Sequence, residues 1–105
     1  MNEIDPLALK ARMDQGDTLL LLDVREPWEY ETCHIQGSTP IPMKQVPARM
    51  EELEEAQGIV VICHHGMRSA QVVAFLARSG LANVMNLAGG IDAWARTVDG
   101  SMPTY

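Results

Sequence analysis

Ile59-Val60-Val61-Ile62-Cys63-His64-His65-Gly66-Met67-Arg68-Ser69 reads as a buried strand, a tight polar turn and the start of a helix. Four branched aliphatics in a row favour extended backbone, and with no polar residue among them both faces of the strand must be covered. The helix is expected from about Arg68 to Ser79, with Gly80 as its stop. Leu19-Leu20-Leu21-Leu22-Asp23-Val24 is a second continuous run and is read as another buried strand, although its periodicity does not exclude a helix. Val84-Met85-Asn86-Leu87 is a third strand. Thr39-Pro40-Ile41-Pro42 is extended but proline-rich, so it belongs at a sheet edge or a strand end. Helical patterns lie between these runs. Asp5-Pro6 is an N-cap and first-turn proline for a helix through about Gln15, stopped by Gly16. Pro27 opens a short helical turn containing Trp28 and Tyr30. Met43, Val46, Met50 and Leu53 recur at the spacing of an amphipathic surface helix closed by Gly58. Gly89-Gly90 starts a last helix with Ile91, Trp94, Ala95 and Val98 on one stripe. Strands alternating with helices predict an α/β fold with a mainly parallel sheet covered on both faces.

Composition bounds what such a fold does. The 105 residues suit one domain, 1–105. Apolar residues are 47% and aromatics only 5%, so the core is expected to be aliphatic and methionine-filled. A net charge of −6 without a basic stripe argues against a nucleic-acid surface. No window approaches the roughly 18 apolar residues of a membrane span. Met1-Asn2-Glu3-Ile4-Asp5 has neither a basic nor an apolar export region, so the expected compartment is the cytoplasm, where Cys33 and Cys63 stay free thiols. An acidic chain also repels small anions, so an anionic substrate requires a locally positive site.

The turn after Cys63 supplies one. Ligands of parallel α/β sheets bind outside the carboxyl ends of the strands, and Cys63 stands at such an end. The loop amides and the following helix N-terminus carry a positive partial charge of about half an electron charge. Arg68 adds a full charge where the helix begins. Such surroundings favour a thiolate over a thiol and bind incoming oxyanions. Gly66 lets the backbone turn with its N–H groups inward. An inert core cysteine is the plainer alternative, but a core strand does not need a polar, cationic, glycine-containing turn after it.

Cys63-His64-His65-Gly66-Met67-Arg68 resembles the C-x-x-G-x-R loop of single-domain rhodaneses, the thiosulfate sulfurtransferases. Leu22-Asp23-Val24-Arg25-Glu26-Pro27-Trp28-Glu29-Tyr30 is similar to the family's D-V-R-x-x-x-E-[FY] segment, and His34-Ile35-Gln36-Gly37-Ser38 to its H-I-x-G-[AS] segment. Asn86 through Trp94 is similar to its L-x-G-G-[IM]-x-x-W segment. The resemblance spans nearly the whole chain. It implies a three-layer sandwich with a sheet of about five strands. It also implies double displacement: Cys63 takes the outer sulfur of thiosulfate or a related anionic donor as a persulfide. Cyanide, a small thiol or a protein thiol then accepts that sulfur. The implied substrate-binding residues are His64, His65, Gly66, Met67, Arg68 and Ser69, with no metal or organic cofactor. A non-catalytic rhodanese-like binding module is the alternative. A phosphatase or arsenate reductase of the same fold ranks lower, because Arg68 follows Cys63 by C-x4-R where those enzymes resemble C-x5-R, and the shorter loop makes a smaller ring of amides.

Other residues carry plainer expectations. His64 and His65 lack a carboxylate or cysteine at ligand spacing and are read as shaping the pocket mouth. Cys33 stands where the family usually has glycine; resolving an oxidised Cys63 through a disulfide is one reading, but nothing in the sequence places it within reach, and it is read as filling a small turn position. Asp23 and Arg25 end a strand and are candidates to line the site; the resemblance implies instead that they, with His34, tie loops together. Met67 should border the pocket, while Ile91, Trp94 and most methionines fill the core. Glu51-Glu52-Leu53-Glu54-Glu55 reads as a solvated helix face.

Overall fold

The chain's architecture, in a computed structural model, is organised around the strand quoted above. The structure describes residues 2–105; Met1, part of the start read for export, lies outside them. β1 (Glu3–Ile4), β2 (Leu20–Asp23), β3 (Thr39–Pro40), β4 (Ile59–Ile62) and β5 (Val84–Leu87) form one sheet in the order β1-β5-β4-β2-β3. Every pairing is parallel. β4 lies at the centre, bonded to β2 on one side and β5 on the other. Its side chains alternate between two cores. Ile59 and Val61 join Leu22, Ile41, Val46, Leu53, Val72, Val73 and Leu76 on one face. Val60 and Ile62 join Leu9, Leu21, Leu87, Ile91 and Trp94 on the other. Both faces are therefore covered, as the unbroken aliphatic run requires.

Four α-helices supply the cover: α1 (Pro6–Asp14), α2 (Pro27–Thr32), α3 (Met67–Arg78) and α4 (Gly90–Thr97). The start of α1 follows from its sequence, since the Asp5 carboxylate accepts the Ala8 N–H at 2.8 Å and Pro6 fills the first turn. α2 opens on a capping box, in which Glu26 and Glu29 satisfy each other's backbone N–H groups. Among the described residues no helix is long and apolar enough to cross a membrane.

The structure corrects one expectation and adds one strand. Met43 to Leu53 is not one amphipathic helix but two 3-10 segments, Met43–Gln45 and Pro47–Glu52, with Arg49 out of helical geometry. Pro47 has no N–H to donate and breaks the helical ladder that the apolar spacing suggested. Val46 and Leu53 are nevertheless buried and the glutamates exposed, so the amphipathic reading holds where the helical one fails. β1 was not foreseen. It is two residues long and exists by pairing Glu3 with Asn86 and Ile4 with Leu87.

This order places one crevice. From β2 the chain passes to β3 on one side and then to β4 on the other. The carboxyl ends of β2 and β4 therefore flank the point where strand order reverses. Asp23 ends β2, and Cys63 directly follows β4.

Candidate functional site

Cys63 is 1% exposed, and its sulfur receives the Gly66 N–H at 3.1 Å. Gly66 has φ +103° just before α3, a left-handed conformation that a side chain would strain. That conformation turns the chain back, so that an amide three residues after Cys63 faces its sulfur. Ser69, fully buried in the first turn of α3, brings its Oγ to 3.2 Å from the same sulfur. The Asn86 carboxamide, from β5, accepts the Ser69 hydroxyl at 2.5 Å and donates to the Gly66 carbonyl at 3.1 Å.

The start of α4 clasps the other side of the loop. Ile91 N–H donates to the Cys63 carbonyl at 2.8 Å and Asp92 N–H to the His64 carbonyl at 3.1 Å. Gly90 makes that approach possible. A Cβ there would stand 2.4 Å from the His64 oxygen and 2.5 Å from the Cys63 oxygen, at φ +64°. With their carbonyls bound by α4, Cys63 and His64 are fixed in the conformation that opens the loop.

Arg68 does not present a free charge to this loop. Its two terminal nitrogens donate to the two carboxylate oxygens of Glu29 at 2.7 and 2.8 Å. The Arg68 guanidinium beside it holds the Glu29 carboxyl down at about 2, burial opposing. The Tyr105 hydroxyl also donates to Glu29, at 2.8 Å. The free charge expected at Arg68 is thus corrected: its guanidinium is balanced by α2, and the donor aimed at the sulfur is the Gly66 amide.

Behind the site, Arg25 is 1% exposed and makes five hydrogen bonds. Two reach the fully buried Asp23; the others reach the Glu29 carbonyl, the Cys33 carbonyl and the Tyr105 hydroxyl. All five guanidinium N–H groups are used. This bears out the expectation that Asp23 and Arg25 tie loops together.

The expected pocket-mouth residues are near one another. The His64 ring stacks between His65, at 4.1 Å, and Tyr105, at 4.0 Å. Met67, which opens α3, is 79% exposed. The fold also brings the carboxylate that sequence spacing hid: Asp92 lies 3.7 Å from His65 and is held by Arg96 at 2.9 Å. His64, His65 and Asp92 offer metal-ligating atoms within 4.8 Å of one another. The two imidazoles lie 15° from parallel, so their lone pairs do not converge on one ion unless a ring turns.

The profile of the Rhodanese-like domain family matches residues 5–97. The chain belongs to the rhodanese-like domain family. A sulfurtransferase of Allochromatium vinosum is 40% identical over 96 residues, covering 91% of this chain and 90% of that protein. An adenylyltransferase and sulfurtransferase of Zea mays, MOCS3-2, is 33% identical over 103 residues, where this chain spans 21% of the longer protein. Among solved structures, a rhodanese-like domain protein from Staphylococcus aureus superposes with a TM-score of 0.86 at 27% identity, over 100% of this chain and 99% of that one. A rhodanese-related protein from Thermoplasma volcanium gives 0.82 at 33% identity, over 98% and 96%.

In this rhodanese-like chain the four segments singled out in the sequence meet around one loop. The first gives Asp23, Arg25 and Glu29; the second packs Ile35, beside the preceding Cys33, in the core shared with α4; the last gives Asn86 and the paired glycines. Cys33 and Cys63 are both free and buried. Three residues of the site escaped the sequence reading. Glu29 was quoted in a motif without its ionic partner 39 residues away. Asn86 was read as strand and quoted at the head of a motif, without a role or a partner. Tyr105 carried no signal, since its contacts to Glu29, Arg25 and His64 are all distant in sequence.

Proposed function

We propose that this member of a sulfurtransferase family carries sulfane sulfur on Cys63 as a persulfide. The Cys63 thiolate attacks the outer sulfur of thiosulfate or a related anionic donor. A sulfur–sulfur bond forms to Cys63 while the donor's own sulfur–sulfur bond breaks, and sulfite leaves with that electron pair. A thiolate of a small molecule or protein, or cyanide, then attacks the outer sulfur, and Cys63 departs as thiolate. Atoms and charge balance without a metal or redox cofactor.

The observation that carries this reading is the Gly66 N–H pointed at the cysteine sulfur from a left-handed turn, where α3 begins. An amide so placed stabilises negative charge on sulfur, and the helix N-terminus adds to it. The exposed side chains of His65 and Met67, with half-buried His64 and Arg68, are proposed to meet donor and acceptor. Gly66 and Ser69 act on the sulfur itself. The chain is proposed to act as a single domain, with its two thiols kept free in the cytoplasm.

Incubation with thiosulfate should add the mass of one sulfur atom at Cys63, removable by cyanide with release of thiocyanate. A folded Cys63→Ser variant should acquire none. An unloaded wild-type protein across a panel of sulfane donors would support the binding-module alternative.

A further inference from the structure

We propose that Asn86 is a positioning residue that fixes the direction of the Ser69 hydroxyl and, through it, opposes a bare thiolate at Cys63. Asn86 is 2% exposed on β5. Its Nδ2 faces the Gly66 carbonyl at 3.1 Å and a Glu3 carboxylate oxygen at 3.4 Å. Both are acceptors, so the amide nitrogen must lie on that side and Oδ1 must face Ser69. Oδ1 has no proton, so Ser69 donates to it. A hydroxyl has one proton. Ser69 therefore turns only lone pairs toward the Cys63 sulfur 3.2 Å away. That contact is attractive when sulfur holds a proton, in the order Cys63 S–H to Ser69 O–H to Asn86 Oδ1.

Ionising the sulfur breaks this order. Either the Ser69 oxygen faces an anion, or its hydroxyl turns to sulfur and leaves the buried Asn86 oxygen without a donor. Both are unfavourable. The Gly66 amide favours the anion, and the Ser69–Asn86 pair works against it. On the reading given above, a persulfide escapes the conflict: its inner sulfur is divalent and uncharged, and its negative charge sits on the outer atom. The pair thus favours the thiol and the persulfide over the thiolate between them.

The test is the pH dependence of Cys63 alkylation by iodoacetamide, followed on the Cys63 peptide by mass spectrometry, which needs no sulfur chemistry. The charged or titratable groups around the relay are Arg68 on α3 with Glu29 on α2 and Tyr105, His64 and His65 in the loop with Asp92 on α4, and Glu3 on β1; none is altered. Ser69→Ala removes the acceptor that favours the thiol, so the midpoint of the profile should fall by about one pH unit, a tenfold rise in thiolate at a given lower pH. Asn86→Ala frees the Ser69 hydroxyl to donate to sulfur and should also lower it. In the Ser69→Ala background, Asn86→Ala should move it no further. A midpoint that rises or stays fixed in folded Ser69→Ala protein overturns the proposal, because it means that Ser69 already donates to sulfur or does not act on it. An equal fall on adding Asn86→Ala to Ser69→Ala overturns it too, since Asn86 would then act without Ser69.

Discussion

Arg68 and Glu29 are joined by two parallel hydrogen bonds that cross from the first turn of α3 to α2. Such bidentate pairs are directional as well as charged. This one ties the helix that follows the cysteine loop to the segment that follows β2, so it braces the site's two walls. Arg68→Ala leaves the Glu29 carboxylate buried against only Tyr105 and the Glu26 amide. The expected loss is about 2 kcal/mol in a denaturant titration. Arg68→Lys should recover only part of it, because an ammonium does not reproduce the paired geometry.

The same pair sets an acid limit. Glu29 is lowered from an ordinary 4.5 to about 2, chiefly by Arg68. A carboxyl lowered on folding contributes stability that is fully present above its unfolded value and is lost as pH falls toward its folded value. The thermal midpoint of the wild type should therefore decline through about pH 4.5 to 2. Glu29→Gln cannot titrate, so the gap between the two proteins should narrow across that window. A gap that stays constant would remove Glu29 from the acid response.

Gly90→Ala tests the clasp of α4 on the loop. The added methyl meets two carbonyl oxygens at 2.4 and 2.5 Å, both backbone and both already bound, and the residue is left-handed. The loop must shift, and a destabilisation of about 2–4 kcal/mol is expected from strain and overpacking. Sulfur loading on Cys63 should fall in protein that remains folded by circular dichroism. Gly100→Ala, where a Cβ meets nothing within 4 Å, is the matched control and should leave both readouts unchanged.

What was legible in the sequence was what local chemistry decides. An unbroken aliphatic run needs two covered faces, and β4 has them. Asp5-Pro6 and Gly89-Gly90 mark helix starts through capping and backbone freedom, and both helices begin there. Cys63 at a strand end before a glycine turn was equally plain. The spacing of Met43, Val46, Met50 and Leu53 misled because it reports which side chains are buried, and a 3-10 path with Pro47 in it buries the same ones. β1 has no propensity of its own and is made by its neighbour β5. The charge at Arg68 was visible but its partner was not, because Glu29 approaches only when α2 and α3 pack. Asn86 stood in a strand and at the head of a motif without a role, since a polar side chain in a strand signals nothing until its two acceptors are in place.

The clasp of α4 also couples two steps of folding. A segment ending at Ala88 holds β4, the cysteine and α3 but lacks the Ile91 and Asp92 amides that bind the carbonyls of Cys63 and His64. The loop therefore completes its hydrogen bonds only when α4 docks on it, so closing the loop and docking that helix are one event.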